Sequence, residues 1–374
     1  MRLAFAEMRR GRGRFAAILA AVVLLEFLAL VLSSLADGLY YGATGALRTS
    51  GADLYVFSRD GLLQLTRSSL PAADAPRVAG VRGVAAVGEV GVVQAVGRHR
   101  GSTLEVALFG YLPREPGGPL RATSGRLPRP GESFAAAADT SLRDEGVRLG
   151  DRITIGKNIP PVRIVGFTSD SRYELQPTLW TTIDTWRAVR NALRPELRGE
   201  VADVQALAVK LAPGASPAVV SDRIDAALGG STETVDRATA VAALPGVTEQ
   251  QSTLDQVIYA TFVVAALVIA LFFALLILER RTELAILKAV GASNRYLLSG
   301  IVLEALVVGL VGWALALILC SVMAMALPSS IPFLLRGVTT VTVAAATVVT
   351  AALGAAFSFR RVTAIDPASA LGGA

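Results

Sequence analysis

Four long, predominantly apolar runs restrict this chain of 374 residues to one kind of architecture. They cover residues 15–36, 257–278, 301–327 and 339–359. About 20 apolar residues are needed to cross the hydrocarbon core of a bilayer as an α-helix, and each run reaches that length. Backbone N–H and C=O groups inside a bilayer must be satisfied within their own segment. The runs therefore predict four transmembrane helices. Hydrophobic residues make up 53% of the chain, as expected of a membrane protein with one sizeable polar part. That part is residues 37–256, about 220 residues, enough for a core of its own.

The basic residues orient the chain. Arg2, Arg9, Arg10, Arg12 and Arg14 precede the first run, with Glu7 the one acid among residues 1–14. Arg280, Arg281 and Lys288 lie between the second and third runs, and Arg360 and Arg361 follow the fourth. With four spans these clusters fall on one side, which the positive-inside rule makes cytoplasmic. The expected topology has both termini (1–14 and 360–374) and the stretch 279–298 inside, and 37–256 and 328–338 outside, in a plasma (inner) membrane. The net charge of +6 is explained by these flanks, so nucleic acid is not an expected partner. A signal-peptide reading of the first run, with Ser34-Leu35-Ala36 as cleavage site, competes. The run is longer than a usual signal core, and three more spans follow it. Cys320, the single cysteine, excludes an intrachain disulfide and any cysteine-cluster metal site.

Residues 37–256 read as an α+β extracytoplasmic domain between the first and second membrane helices. Strand patterns occur at Asp53–Phe57, Ala85–Val96, Thr103–Tyr111, Asp151–Ile155, Val162–Phe167 and Val204–Leu211, and helix patterns at Thr181–Leu193 and Ser216–Leu228. Pro and Gly cluster at 113–131, a turn-rich connection. No catalytic constellation emerges. His99, the only histidine, sits between Arg98 and Arg100 and reads as part of a solvated turn. Gly150–Asn158 (GDRITIGKN) departs from a phosphate loop in glycine spacing, and Asn158 stands where Ser or Thr should hold magnesium. Neither a G-x-S-x-G elbow nor zinc-type His/Glu spacing is present. The expectation is a non-catalytic chain that holds no metal.

Polar residues inside the spans stand out because lipid disfavours them. Glu26 falls near the middle of the first span, and Ser33 lies seven residues on, on the same helical face. Glu26 could meet a partner helix, a water-filled cavity or a ligand, or serve packing alone. The second span can extend outward as one helix from near Thr248, because no breaker interrupts TEQQSTLDQ. Glu304 is expected in the first turn of the third span, and Gly309 and Gly312 allow close helix contact there.

The stretch 279–298, ERRTELAILKAVGASNRYLL, joins the second and third spans. Its composition predicts a short amphipathic surface helix, with Ile286, Leu287 and Val290 on one side and Arg281 and Lys288 on the other. Arg280 can pair with Glu283. Gly291 can end the helix in a left-handed cap, and Ser293 or Asn294 can start the next. By charge alone this is a basic juxtamembrane loop of the ordinary kind.

The same stretch resembles, in order, a segment of the MacB-type (FtsX-like) ABC transporter permeases. The matching residues are Glu279, Arg280 and Arg281, then Glu283-Leu284, then Lys288-Ala289-Val290-Gly291-Ala292-Ser293. The order GRLPRPGESF, RLGDRITI, VRIVGF resembles the family's periplasmic core, and the tail around Pro367-Ala368-Ser369-Ala370-Leu371 resembles its C-terminal ending. The resemblance implies a homodimeric permease subunit without a nucleotide site of its own. ATP and magnesium would be bound by a separate cytoplasmic ABC ATPase. That ATPase would dock on a coupling helix carrying Glu279, Arg280, Arg281, Glu283, Leu284, Leu287, Lys288, Gly291 and Ala292. The cargo implied is hydrophobic or amphipathic. The first span with its Leu35-Ala36-Asp37-Gly38-Leu39 exit is similar to the HrtB-like haem-exporter branch, which makes haem a candidate cargo and Glu26, Tyr40 and Tyr41 candidate contacts. The competing reading within the family is an FtsX-like mechanical regulator of an extracytoplasmic cell-wall hydrolase, with no transport.

Overall fold

The computed structural model describes residues 12–194, 203–279, 282, 286–288, 290–328 and 331–363. The chain opens with helix α1 (Arg12–Arg48). An α+β segment follows, with strands β1 (Leu54–Ser58), β2 (Leu70–Pro71), helix α2 (Asp74–Ala79), β3 (Val84–His99), β4 (Ser102–Tyr111), β5 (Ser124–Gly125) and β6 (Ala135–Asp139). It continues through β7 (Arg152–Ile155), β8 (Val162–Thr168), β9 (Thr178–Thr182), α3 (Ile183–Leu193), β10 (Asp203–Val204), β11 (Ala206–Leu211), α4 (Pro217–Ala227), β12 (Thr232–Asp236) and α5 (Arg237–Ala242). Three long helices complete the chain: α6 (Val247–Glu279), α7 (Asn294–Ala326) and α8 (Gly337–Thr363). The long helices α1, α6, α7 and α8 are each long and apolar enough to cross a membrane. Contacts divide the chain into two units, Leu39–Gln250 and the remainder, with α1 and α6 each contributing residues to both.

In the helical unit the four helices share an apolar interior in which large side chains pack beside alanines and glycines. Ile18 and Val22 of α1 meet Ile269 and Phe273 of α6, Ala305 and Val308 of α7, and Ala351 and Ala355 of α8 in one apolar cluster. Gly309 and Gly312 divide their work between two neighbours. A methyl group on Gly309 would lie 3.2 Å from Thr347 of α8, and one on Gly312 would lie 2.7 Å from Val22 of α1. Small residues permit such approach where the hydrophobic effect cannot drive helices together. Helix α6 is continuous from Val247, matching the extension expected from near Thr248. Helix α7 begins at Asn294, the start expected there, and runs into the third apolar span without a break. Ser293, with extended backbone, caps it by accepting a hydrogen bond from the Tyr296 N–H. Glu304 lies in the third turn of this helix and is half-buried.

The α+β unit is built on a 10-stranded sheet of order β12-β1-β11-β3-β4-β9-β6-β8-β5, with β7 pairing β3 and β8. Neighbours are antiparallel except β4–β9 and β6–β8. Side chains alternate between two apolar layers, as the period of a strand demands. In β1, Leu54 and Val56 join Trp186, Val189, Val220 and Ile224 on the face covered by α3 and α4. Tyr55 and Phe57 join Ala46 and Leu47 of α1, Ala240 and Val241 of α5, and Trp180 on the other. The expected strands and helices are all present. The sequence patterns missed β6, β9 and β12, and the short elements β2, β5, α2 and α5.

The family-like motifs have local physical reasons. In RLGDRITI, the Asp151 carboxylate accepts from the backbone N–H of Arg148 (2.9 Å) and from Arg100 (3.0 Å), and pairs with His99 Nε2 at 2.9 Å. These contacts fasten the start of β7 to the β3–β4 hairpin. His99 is thereby corrected: the tight turn is present, at Arg100 and Gly101, but the imidazole is buried beside Asp151 rather than solvated. In VRIVGF, a Cβ on Gly166 would lie 2.1 Å from the Arg126 carbonyl oxygen, so β5 crosses there only above a glycine. In GRLPRPGESF, Glu132 accepts two bonds from Arg126, each 2.7 Å, and one from the Arg129 backbone N–H at 3.1 Å. Arg163 adds a contact at 3.2 Å.

The Arg126 guanidinium beside it is the main reason the Glu132 carboxyl is held down at about 2, with the Arg129 N–H and Arg163 adding to it. A carboxylate whose folded value lies below its unfolded value contributes stability above the unfolded value, and loses it as pH falls through the folded one. Glu132→Gln should cost on the order of 1 kcal/mol at pH 7, a partly exposed bidentate pair being screened by solvent. Thermal unfolding of both proteins from pH 7 downward should show the gap between them closing between about pH 4.5 and pH 2. A constant gap would remove this carboxylate from the acid limb.

Candidate functional site

The described part of the 279–298 stretch is a capped turn between α6 and α7. Glu279 is the last residue of α6, and Ile286–Lys288 are helical. Gly291 takes φ +101°, open to glycine at no steric cost, and no atom crowds the place of a Cβ. The Ala292 N–H bonds the Leu287 carbonyl at 2.9 Å, and the Gly291 N–H bonds Lys288 at 3.0 Å. This pair of bonds is a Schellman motif, which satisfies carbonyls that the helix end would leave open. Ala292 packs against the buried pair Ile277 and Leu297. The expected left-handed cap and the Ser293 start are therefore present. Arg280, Arg281, Glu283 and Leu284 lie outside the described residues, as does the tail from 364.

The turn presents an apolar face to its surroundings. Ile286 is 53% exposed, Leu287 45% and Val290 83%, with Tyr296 exposed beyond them. Lys288 is the half-buried member of the group. The apolar side predicted from helical spacing is thus the side left uncovered within one chain.

Glu26 is only 1% exposed and lies in the helical unit. Its Oε2 accepts from the Thr347 hydroxyl of α8 at 2.6 Å, while Thr347 also reaches the Val343 carbonyl at 2.9 Å. Oε1 of Glu26 is buried without a partner among the described residues. Ser33 is buried too, so the polar face of α1 turns inward as its spacing implied. Thr347 is the partner that sequence reading missed; a threonine in a Thr-rich, Ala-rich span carries no distinguishing signal. Tyr40 and Tyr41 belong to the α+β unit. Their rings meet edge to face at 5.3 Å, and the Arg48 guanidinium lies 4.2 Å over the Tyr41 ring. Among the described residues, no group of three or more His, Cys, Asp or Glu side chains could hold a metal ion.

Four membrane-length helices with an α+β unit inserted after the first are the architecture of a polytopic membrane protein with one large domain between its first two spans. Comparison with known families agrees. The MacB-like periplasmic core domain matches residues 16–227, and the FtsX-like permease C-terminal region matches residues 257–367. The chain belongs to the MacB/FtsX-type ABC transporter permease family, and as such is an integral membrane protein. Two uncharacterized ABC transporter permeases of Mycobacterium tuberculosis are 26% and 28% identical over 377 and 379 residues, covering 99% of both chains in each case. A Staphylococcus epidermidis protein named as a hemin transport system permease, HrtB, is 22% identical over 250 residues, 67% of this chain and 66% of that one. Among solved structures, the periplasmic region of MacB from Actinobacillus actinomycetemcomitans aligns with a TM-score of 0.37 at 14% identity, over 52% of this chain and 92% of that one.

The Glu26–Thr347 contact can be tested by a double-mutant cycle. Thr347→Val leaves both Glu26 oxygens without the bond, and Glu26→Leu removes the acceptor. Interhelical hydrogen bonds in bilayers couple by about 0.6 kcal/mol on average and up to about 1.7. Thermal unfolding of the detergent-solubilised protein should place the double variant less destabilised than the sum of the singles by an amount in that range. Additive effects would show that the two side chains do not hold each other.

Proposed function

We propose that this chain is the membrane subunit of an exporter driven by a separate cytoplasmic ABC ATPase, which docks on residues 279–298. The uncovered apolar trio Ile286, Leu287 and Val290 on a rigidly capped turn carries the proposal. Exposed apolar clusters of this kind mark interaction sites. Glu279, Arg280, Arg281, Glu283, Leu284 and Lys288 would supply the charged and apolar rim, while Gly291 and Ala292 fix the turn. ATP and magnesium would be held by the ATPase. Closure of two ATPase subunits on nucleotide would displace the turn in each chain of a permease homodimer. Helix α6, unbroken from Val247 to Glu279, is suited to pass that displacement along its length.

In this scheme the basic clusters keep both termini and the turn cytoplasmic, and the α+β unit is extracytoplasmic. The cargo is hydrophobic or amphipathic, and the similarity to a protein named for hemin transport keeps haem a candidate. Glu26 could contact cargo only when α1 and α8 separate, because Thr347 holds its carboxyl in the closed pair. Tyr40 and Tyr41 remain candidate contacts. The FtsX-like regulator reading uses the same turn and drives an external hydrolase in place of transport.

Leu287→Asp with Val290→Asp should abolish stimulation of the co-expressed ATPase and weaken co-purification at least about thirtyfold, the loss of a 2 kcal/mol hot spot, while the permease still folds and inserts. Unchanged stimulation would move the docking site elsewhere. Hemin added to the wild-type complex in proteoliposomes should raise ATP hydrolysis and be extruded. Stimulated hydrolysis by the ATPase with no movement of hemin or of other amphiphiles would favour the mechanical regulator.

A further inference from the structure

The α+β unit contains a cleft of about 580 Å³ that the coupling scheme does not use. Its walls are the loops 113–120 and 127–130, the segment Ser50–Gly51, and the sheet at Tyr111 and Lys210. The size falls within the range of sites for small organic molecules. The loops are fixed rather than draped. A Cβ on Gly88 would lie 2.0 Å from the Pro116 carbonyl oxygen, and one on Gly118 would lie 2.1 Å from the Tyr111 ring. Ser50 and Pro119 form an isolated antiparallel bridge across the base of the first loop.

The lining combines prolines and leucines with an excess of positive charge. Arg114, Arg129, Lys210 and Arg237 face it against a single carboxylate, Glu115. Lys210 is neutralised by Asp53 at 2.9 Å. The Arg237 guanidinium donates to the Ser50 and Ala52 carbonyls, at 3.4 and 3.5 Å, and its charge also acts on Asp53, so these two cations share one carboxylate. The guanidinium groups of Arg114 and Arg129 make no hydrogen bond or ion pair among the described residues. Solvated arginines are common on surfaces and would by themselves indicate nothing. The second observation is Tyr111, which lines the cleft, is only 2% exposed, and has a buried hydroxyl with no partner among the described residues. A buried unpaired hydroxyl is costly, and an anionic oxygen accepting from it would remove that cost.

We infer that this cleft binds an amphipathic anion: a phosphate or carboxylate held by Arg114, Arg129 and the Tyr111 hydroxyl, with an apolar portion against the proline-rich loops. The assignment does not depend on ATPase coupling, and binding is read without nucleotide. The test uses the full-length protein in phosphatidylcholine nanodiscs, with octyl phosphate as probe and calorimetric titration as readout. Octyl phosphate should bind saturably at one site per chain. Inorganic phosphate, lacking the tail, and 1-octanol, lacking the charge, should each bind at least about tenfold more weakly. Arg114→Glu with Arg129→Glu should lower affinity for octyl phosphate at least about tenfold, charge-assisted bonds being the strong ones. Tyr111→Phe should lower it about threefold to tenfold. Should the double variant fail to fold, the phenylalanine variant and the three-probe comparison still decide. Replacing the nanodisc lipid with phosphatidylglycerol separates two sources: competition assigns the site to a bilayer lipid headgroup, and undiminished binding assigns it to a free amphiphile. Equal binding of octyl phosphate and 1-octanol, or wild-type affinity in the double variant, would overturn the inference.

Discussion

In hydrocarbon a peptide group has no water to bond, and that one constraint organises the rest of this protein. It forces each apolar run into a helix, and it makes the helix ends the places where structure must be finished by other means. The junction of α6 and α7 shows the consequence. The Schellman bonds at Leu287 and Lys288 close one helix, the Ser293 hydroxyl opens the next, and Gly291 supplies the backbone angle between them. A turn completed in this way is stiff. Its apolar side chains cannot fold back to cover themselves, and a stiff uncovered face is what a docking element requires.

The same constraint explains the interior of the helical unit. With no hydrophobic drive between helices in lipid, packing depends on close approach and on buried polar pairs. Gly309 and Gly312 let α7 approach two different helices, and Glu26 meets Thr347 between α1 and α8. Glu26 was conspicuous in the sequence as a lone mid-span carboxylate. Its role as a clasp was not, because the partner is one threonine in a span already rich in threonine.

Much of the α+β unit was legible because its strands alternate in polarity or carry β-branched residues. The exceptions are instructive. Strand β6 reads AAAAD, and alanine favours helix over strand in isolation. It is a strand because it lies between β8 and β9 with all of its residues buried, a context set by distant segments. His99 was misread for the same reason. Its neighbours Arg98 and Arg100 suggest solvent, but Asp151, fifty-two residues on, arrives to pair with it. The cap at Gly291 and the helix start at Ser293 were legible, since a helix cap is written in a few adjacent residues. The cleft at Tyr111 was visible beforehand only as a Pro- and Gly-rich connection; segments far apart in sequence, from Ser50 to Arg237, build its walls.

The central claim is that the turn at Gly291 faces the cytoplasmic nucleotide engine while the α+β unit faces the opposite side. Cysteine accessibility measures this directly. In a Cys320→Ala background, Ser102→Cys places a thiol on the exposed β3–β4 hairpin and Val290→Cys places one on the turn. A membrane-impermeant maleimide applied to intact cells should label the first, and should label the second only after the membrane is permeabilised. Labelling of Val290→Cys from outside, with Ser102→Cys protected, would contradict the account.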